Sequence, residues 1–397
     1  MKGSSELGAR ALRAGSGLGV GADSRSALAR AVDECLLAIG GARPDLLLLF
    51  ASAVYEDDYA DLLAEAAARS GATEIAGCSA WGVIAGEREV ETEPGLAALA
   101  LALPSGAWLS VRHVAMEQTS ESQLLGVSAG ECTGIIVLAD PFTSDVGEMI
   151  SALERDYPGA PIVGGMATGV PGAQRTCLFR GSEVLEEGAV VISLGGTVRL
   201  KPLVSQGCEP IGEAWTITDA TGHLVRSIGG RPPSEVLLET IKGLDPERQQ
   251  RVNGNLLVGL AMDEYRDEFK RGDFLIRNPI GIDQTTGALA ISGQPRVGQT
   301  IQFQIRDARA ADDELRHMLG RVSADASAAA LLFACNGRGV GLFGAADHDA
   351  RTVREVLGPV PLAGLFCNGE IGPVGTNTYI HGFTASLALL ESVPERR

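Results

Sequence analysis

Continuous apolar runs alternate along the chain with segments of helical periodicity. The run "PDLLLLFAS", residues 44–52, is short and unbroken, whereas "DDYADLLAEAAARSG", residues 57–71, places apolar residues at helical spacing and ends on glycine. Next come "TEIAGCSAWGVIAG", a strand that breaks into a Gly-rich bend, and "GLAALALALP", a further apolar strand. The pattern predicts a strand, a helix and two more strands.

The same order of elements occurs three times. A second copy begins at "TGIIVLAD", residues 133–140, and a third begins at "AAALLFACNGRG", residues 328–339. A glycine holds the corresponding place in the second strand of each copy: Gly77, Gly164 and Gly364. Repetition at this period indicates one supersecondary unit used three times. The alternative is three unrelated βαβ units, which any α/β chain contains.

These elements predict an α/β fold, in which repeated strand-helix-strand-strand units form mixed sheets covered by helices and the chain forms two lobes. The segment "GGRPPSEVLLETIKGL", residues 229–244, carries Gly-Gly and Pro-Pro before an amphipathic helix and marks a boundary near Gly230. We therefore predict an N-terminal domain at 30–229 and a C-terminal domain at 230–390. Residues 1–29 are rich in Gly, Ser and Ala, which predicts a mobile N-terminal leader or a first, weakly ordered strand.

Composition narrows the possible partners and compartment. The formal charge of −17, with no Lys/Arg-rich stripe, argues against nucleic acid as a partner. No segment holds eighteen apolar residues without polar interruption, so we expect no membrane insertion. Seven cysteines without paired spacing indicate reduced thiols and a cytoplasmic protein.

Polar residues accumulate where the predicted strands end, in "AGCSAWG", "VGGMATG" and "AGLFCNGEIG". Open α/β sheets bind ligands in the crevice at the carboxyl ends of their strands, so a small-molecule site is expected there. The candidate ligand-binding residues are Cys78, Ser79, Trp81, Cys335, Asn336, Arg338, Phe366, Cys367, Asn368, Glu370 and His381, with Met166 and Thr168 from the second copy. The alternative is that these side chains satisfy only local backbone groups in tight turns.

Arg338 and Glu370 offer opposite charges at this predicted edge. The guanidinium could grip a ligand carboxylate through a bidentate pair, while the carboxylate could hold an amine. The alternative for Arg338 is an internal salt bridge with Glu370 or Asp347.

A thiol-dependent enzyme is the alternative function. Cys367 or Cys335 would be the nucleophile, His381 the base and Glu370 the group that orients it, an arrangement capable of acyl transfer or hydrolysis. No cofactor is predicted. The motif "GVGLFG" at residues 339–344 starts four residues past the cysteine of the preceding strand, and the next strand does not end in the acidic residue of a dinucleotide site. Dispersed histidines likewise predict no metal.

With these motifs in view, the chain resembles the FIST family of sensory modules. The resemblance rests on "AGCSAWG", "PIVGGMATG", "FACNGRG" and above all on "GLFCNGEIGPVG" followed by "YIHGFTASLAL". It implies an intracellular domain that binds a small molecule, for which amino acids and their relatives have been suggested. It supplies no catalytic residues, and Trp81 is bulkier than the family pattern. We expect a non-catalytic sensor that signals through a separate output protein or self-association.

Overall fold

The computed structural model describes residues 11–115, 118, 124–266, 268–269, 272–323 and 327–393. They divide into two compact units, which matches the expected two lobes. The bounds of the first are Met1–Val204, Arg316–Ile380 and Ala385–Arg397, and those of the second are Ser205–Leu315 and His381–Thr384. Among the described residues, no helix combines the length and apolarity that a bilayer crossing requires.

The first repeat contributes six strands and two helices to the first unit. Its strands are β1 (Arg13–Val20), β2 (Leu46–Ser52), β3 (Glu74–Ala80), β4 (Val83–Ala85), β5 (Arg88–Val90) and β6 (Gly95–Ala102). Its helices are α1 (Ser24–Ala38) and α2 (Tyr59–Ser70). Strand β2 runs parallel to β3 and antiparallel to β6. Every residue of β2 is buried, because α1 and α2 cover one face of the sheet and a central core covers the other.

The second repeat follows the same plan with one helix. Its elements are β7 (Trp108–Val114), β8 (Cys132–Ala139), α3 (Val146–Asp156), β9 (Ile162–Met166), β10 (Leu178–Arg180), β11 (Glu183–Leu185) and β12 (Ala189–Gly195). Asp145 caps α3 by accepting a hydrogen bond from the Glu148 N–H at 2.9 Å, which satisfies one of the open amides of the first turn. Strand β8 is parallel to β9 and antiparallel to β12.

After β13 (Val198–Ser205), the chain enters the second unit. Its elements are β14 (Cys208–Thr221), β15 (Leu224–Ile228), α4 (Pro233–Gly243), α5 (Pro246–Val252), β16 (Leu256–Ala261), β17 (Phe274–Arg277), β18 (Pro279–Ile282), β19 (Leu289–Ile291) and β20 (Thr300–Arg306). The strands form one sheet in the order β17-β16-β20-β14-β15-β19-β18. Residues of α4, α5 and this sheet share a hydrophobic core.

The third repeat completes the first unit after α6 (Ala308–Leu319). Its elements are β21 (Ser327–Cys335), α7 (Gly339–Phe343), α8 (His348–Leu357), β22 (Leu362–Cys367), β23 (Glu370–Val374), β24 (Asn377–His381) and β25 (Ala385–Ser392). Strand β21 is parallel to β22 and antiparallel to β25. The pairing that defines the first two repeats is thus present a third time, and the predicted repeat is confirmed.

Each repeat lends a β-hairpin to the sheet of another repeat. The hairpin β4-β5 pairs with β22, β10-β11 pairs with β3, and β23-β24 pairs with β9. The three sheets therefore have equivalent strand orders: β1-β6-β2-β3-β10-β11, β7-β12-β8-β9-β23-β24 and β13-β25-β21-β22-β4-β5. Because each repeat gives one hairpin and receives one, the three repeats have a pseudo-threefold arrangement. Residues from all three sheets fill one central core.

The repeated glycines explain why the parallel pairs pack alike. Gly77, Gly164 and Gly364 lie opposite Leu49, Val137 and Leu332, respectively. A Cβ on these glycines would lie 1.8, 1.9 and 1.9 Å from the carbonyl oxygen of the facing residue, far inside van der Waals contact. Glycine is therefore required at the same place in every copy.

Residues 13–29 form a strand and the start of a helix in place of the predicted mobile leader. Residues 1–10 lie outside the described part, but β1 is paired along its whole length with β6 and α1 begins at Ser24. Glycines alternate in β1, and a Cβ on Gly17 or Gly19 would lie 2.0 or 1.8 Å from a carbonyl oxygen of α1. The glycines that suggested a loose arm instead allow the helix to pack directly on the strand.

The compact units also divide the chain elsewhere than at Gly230. The second unit begins at Ser205, because the fourteen-residue β14 pairs with β20 and β15 inside that unit. The chain then returns to the first unit at Arg316. The second unit is thus largely an insertion between β13 and the rest of the third repeat.

Candidate functional site

The strand-end turns of the three repeats meet at Thr168. The Trp81 N–H donates to the Thr168 hydroxyl at 2.7 Å, and that hydroxyl donates to the Phe366 carbonyl at 3.1 Å. The Thr168 N–H donates to the Ser79 carbonyl at 3.2 Å. Thr168 is buried, so one hydroxyl joins all three turns away from solvent.

Equivalent backbone hydrogen bonds surround this junction. They run from the Ser79 N–H to the Cys177 carbonyl at 2.8 Å, from the Met166 N–H to the Gly369 carbonyl at 3.0 Å and from the Phe366 N–H to the Gly82 carbonyl at 2.9 Å. Trp81, Thr168 and Asn368 each follow the repeated glycine by four residues, so they hold corresponding places in the three turns. The structure brings these predicted residues together.

Several other predicted residues serve the interior. Ser79 is buried, and its hydroxyl accepts a hydrogen bond from the Cys177 N–H at 2.9 Å. This is the role expected if the side chain only satisfies a backbone group in a turn. Cys78 and Cys367 lie in the central core, where burial raises the pKa of both thiols. Phe366 is also buried. These four side chains support the turns and are not presented to solvent.

Asn336 and Asn368 form an amide pair at the ends of β21 and β22. The Asn336 Nδ2 donates to the Asn368 Oδ1 at 2.9 Å, and the Asn336 N–H donates to the Cys367 carbonyl at 2.9 Å. Asn336 Oδ1 is buried without a hydrogen-bond partner among the described residues. Asn368 is exposed. The pair therefore leaves an acceptor and an amide donor for another molecule.

Arg338 lies in the interior, where it forms a bidentate ion pair with Asp349. Its Nε and Nη2 lie 2.6 and 2.9 Å from the two carboxylate oxygens, and only 1 % of the residue is exposed. Burial alone would raise the pKa of Asp349, but the charge and hydrogen bonds of Arg338 hold that pKa below its usual range. The partner is neither Glu370 nor Asp347, and the pair occupies two of the atoms expected to grip a ligand.

Two carboxylates contact the third repeat from the first: Glu89 in β5 and Glu91 just after it. Glu89 Oε1 accepts the Ala350 N–H at 2.8 Å, and Glu91 Oε1 accepts the Val340 N–H at 3.0 Å. Burial, followed by the negative charge of Asp349, raises the pKa of Glu89 to about 8. Sequence reasoning missed this contact, because no local signal shows that a hairpin pairs with a strand more than 250 residues away.

The residues of the predicted Cys-His arrangement are divided between the two compact units. Glu370 is fully buried and accepts from Cys367 Sγ at 3.5 Å and from the Gly369 N–H at 3.3 Å. Burial and then the charge of Glu370 raise the pKa of Cys367, which disfavours a thiolate nucleophile. His381 is buried and belongs to the second unit, whereas Cys335, Cys367 and Glu370 belong to the first.

A groove of 1160 Å³ lies in the first unit at the amino ends of β8 and β9. Its lining residues are Gly106, Trp108, Gly130, Glu131, Cys132, Thr133, Gly159, Pro161, Gly196, Thr197, Arg199, Leu200 and Val393. None of them was among the predicted site residues, which follow the carboxyl ends of strands. The available signal was the pair of glycines at 195 and 196, where an apolar strand ends.

Family models match nearly the whole chain. The FIST N domain matches residues 45–231 and the FIST C domain matches residues 233–373. The division between the two models lies beside the boundary expected near Gly230.

Relatives of similar length occur in mycobacteria. An uncharacterized protein of Mycobacterium tuberculosis (strain H37Rv) is 40 % identical over 384 residues, covering 95 % of this chain and 99 % of that protein. An uncharacterized protein of Mycobacterium bovis is 38 % identical over 384 residues, covering 95 % and 98 %. Among solved structures, a cyanuric acid hydrolase covers 97 % of this chain and 100 % of its own, with a TM-score of 0.34 and 11 % identity.

Proposed function

Since the chain belongs to the FIST family, which is generally associated with small-ligand sensing, we propose that it is a sensory module whose small-molecule ligand binds at the carboxyl ends of the strands. One observation carries the location. The three strand-end turns converge on Thr168 and leave Trp81, Asn336 and Asn368 at least partly accessible around that junction.

The asparagine side chains at this junction have complementary chemistry. Asn336 Oδ1 accepts no hydrogen bond from the described residues, and the Asn368 amide nitrogen can donate. An amine would satisfy the first group and a carboxylate the second, so we propose an amino acid or a relative as the ligand. Trp81, with 37 % of its surface exposed, supplies an apolar face beside them.

Exposed apolar side chains that follow the carboxyl ends of the strands support a binding role over a purely structural one. Large apolar residues on a folded surface are informative when they gather on one face. Those that follow the carboxyl ends of the first unit's strands are Val54, Trp81, Phe142, Val170 and Val340, each at least 37 % exposed. A ligand or an output protein would cover them.

The signal requires a ligand that binds one conformation better than another. We propose that ligand binding changes how this surface meets a separate output protein or a second copy of the chain. We place the protein in the cytoplasm, because all seven cysteines are free thiols, as is usual in a reducing compartment.

A thermal-shift screen with amino acids and related metabolites tests the proposal. A ligand present at about 100 times its Kd adds about 2.7 kcal/mol to the apparent stability. We expect at least one compound to stabilise the wild-type protein. Asn368→Ala and Trp81→Ala should weaken its binding by about tenfold or more, since each removes a contact worth about 1.4 kcal/mol.

Asn377→Ala is the matched control, because Asn377 is an exposed asparagine in β24 of the same unit. Its affinity should equal that of the wild type. Equal affinities in Asn368→Ala, Trp81→Ala and the control would place the ligand elsewhere. A library without any stabilising compound at millimolar concentration would count against the sensory function itself.

A further inference from the structure

Two opposite charges stand unneutralised in the groove at the amino ends of β8 and β9. Arg199 and Glu131 both line it, and both are exposed. Within the described part of the chain, neither side chain forms a hydrogen bond or an ion pair, so their charged atoms lie more than 4.0 Å apart. A ligand with one charge would be attracted by one of these residues and repelled by the other.

The apolar part of the groove is held in place by close backbone packing. Trp108 lines the groove, and a Cβ on Gly195 would lie 2.2 Å from two atoms of its indole ring. The same Cβ would lie 2.4 Å from the carbonyl oxygen of Glu131. Backbone without side chains therefore packs against the indole on one side. Leu200 and Pro161 add further apolar surface.

The volume sets the size of the ligand. Small-molecule pockets measure roughly 300–1000 Å³, whereas this groove measures 1160 Å³. A single amino acid would leave most of it empty. A longer molecule could contact Arg199, Glu131 and Trp108, which all line the same groove.

We propose that this groove is a second binding site, separate from the proposed sensory site, and that it takes a peptide-sized zwitterion. The carboxylate end of the ligand pairs with Arg199, the amine end pairs with Glu131, and an apolar side chain lies on Trp108. The chemistry fits a short peptide with free termini.

Cys132 provides a reporter inside the groove. It lines the groove, and it is the one cysteine of the seven that is not buried. Burial raises the pKa of its thiol, so alkylation is best followed above neutral pH. Iodoacetamide should therefore modify Cys132 first, and Cys132→Ser identifies any labelling at other positions.

The experiment measures alkylation of Cys132 in the full chain with a mixture of zwitterionic di- and tripeptides. With peptide present at about ten times its Kd, the rate of Cys132 alkylation should fall about tenfold, because only the unoccupied protein reacts. The same mixture acetylated at its amino ends and amidated at its carboxyl ends should give no protection. Arg199→Ala and Glu131→Ala should each abolish the protection, whereas Arg30→Ala, which removes an exposed arginine of α1, should retain it.

Two results would overturn the proposal: labelling unchanged by millimolar zwitterionic peptides, or equal protection by the blocked peptides. Neither bears on the sensory site, because Asn368→Ala is expected to leave the protection of Cys132 intact. Conversely, loss of amino-acid binding in the thermal-shift screen leaves this labelling experiment informative.

Discussion

The buried carboxyl of Glu89 predicts a specific dependence of stability on pH. Glu89 is 6 % exposed and lies beside Asp349, and its pKa rises from 4.5 to about 8 as a result. In the unfolded chain the same group ionises near its ordinary value. Between these two values the folded protein binds a proton that the unfolded chain has released, so stability falls as the pH rises.

Glu89→Gln removes this dependence without removing the acceptor for the Ala350 N–H, which the wild-type carboxyl accepts at 2.8 Å. At pH values below about 4.5 the variant and the wild type should be equally stable. Above that value the variant should gain on the wild type by at most about 1.4 kcal/mol per pH unit, and the gain should level off above about pH 8.

Urea unfolding from about pH 5 to about pH 8, followed by circular dichroism, measures the free-energy difference at each pH. Glu87→Gln is the matched control, because Glu87 lies in the same hairpin, is exposed and pairs with Arg354 only at the surface. It should differ from the wild type by no more than about 0.5 kcal/mol at any pH. A Glu89→Gln difference that does not change with pH would refute the reasoning.

Three further predictions concern the architecture. Gly164→Ala should prevent folding or lower the free energy of unfolding by more than about 3 kcal/mol, because the added Cβ would collide with backbone. Gly341→Ala is the control and should change stability little, because a Cβ there meets nothing within 4 Å. Thr168→Val should lose about 1–3 kcal/mol in urea titrations, since buried polar groups of two turns lose their partner, and Thr168→Ser should retain most of that stability. Arg338→Ala should lower the free energy of unfolding by about 3–5 kcal/mol, because it leaves Asp349 charged and buried. A loss of less than about 1 kcal/mol, which is typical of an exposed ion pair, would contradict the buried pairing.

The fold could be predicted from sequence because local pattern and repetition agree. Apolar runs such as β2 and the spacing of α2 specify their elements, and three copies of the same order indicate one unit. The exchange of hairpins was not predictable, because β4 pairs with β22, and no local property records a partner that distant. The order within residues 13–29 was hard to predict, because alternating glycines such as those of β1 are typical of flexible chain, whereas here they form a packing surface.

Sequence reasoning predicted the convergence of the strand-end turns better than the surroundings of each side chain. Strand-end turns do converge, as the rule for parallel strands implies, and Trp81 and Asn368 reach the surface there. The same reasoning could not tell an accessible polar residue from a buried one. Arg338 illustrates this, since its partner is Asp349, eleven residues away, and not Glu370 or Asp347 as the sequence suggested.

Hydrogen-deuterium exchange with and without a stabilising amino acid or metabolite tests the central claim most directly. If the three turns form one site, ligand should slow exchange together in residues 79–82, 166–169 and 366–369, which come from three different repeats. Slower exchange confined to one turn, or confined to the groove around Arg199, would contradict the claim that the repeats converge on a common ligand site.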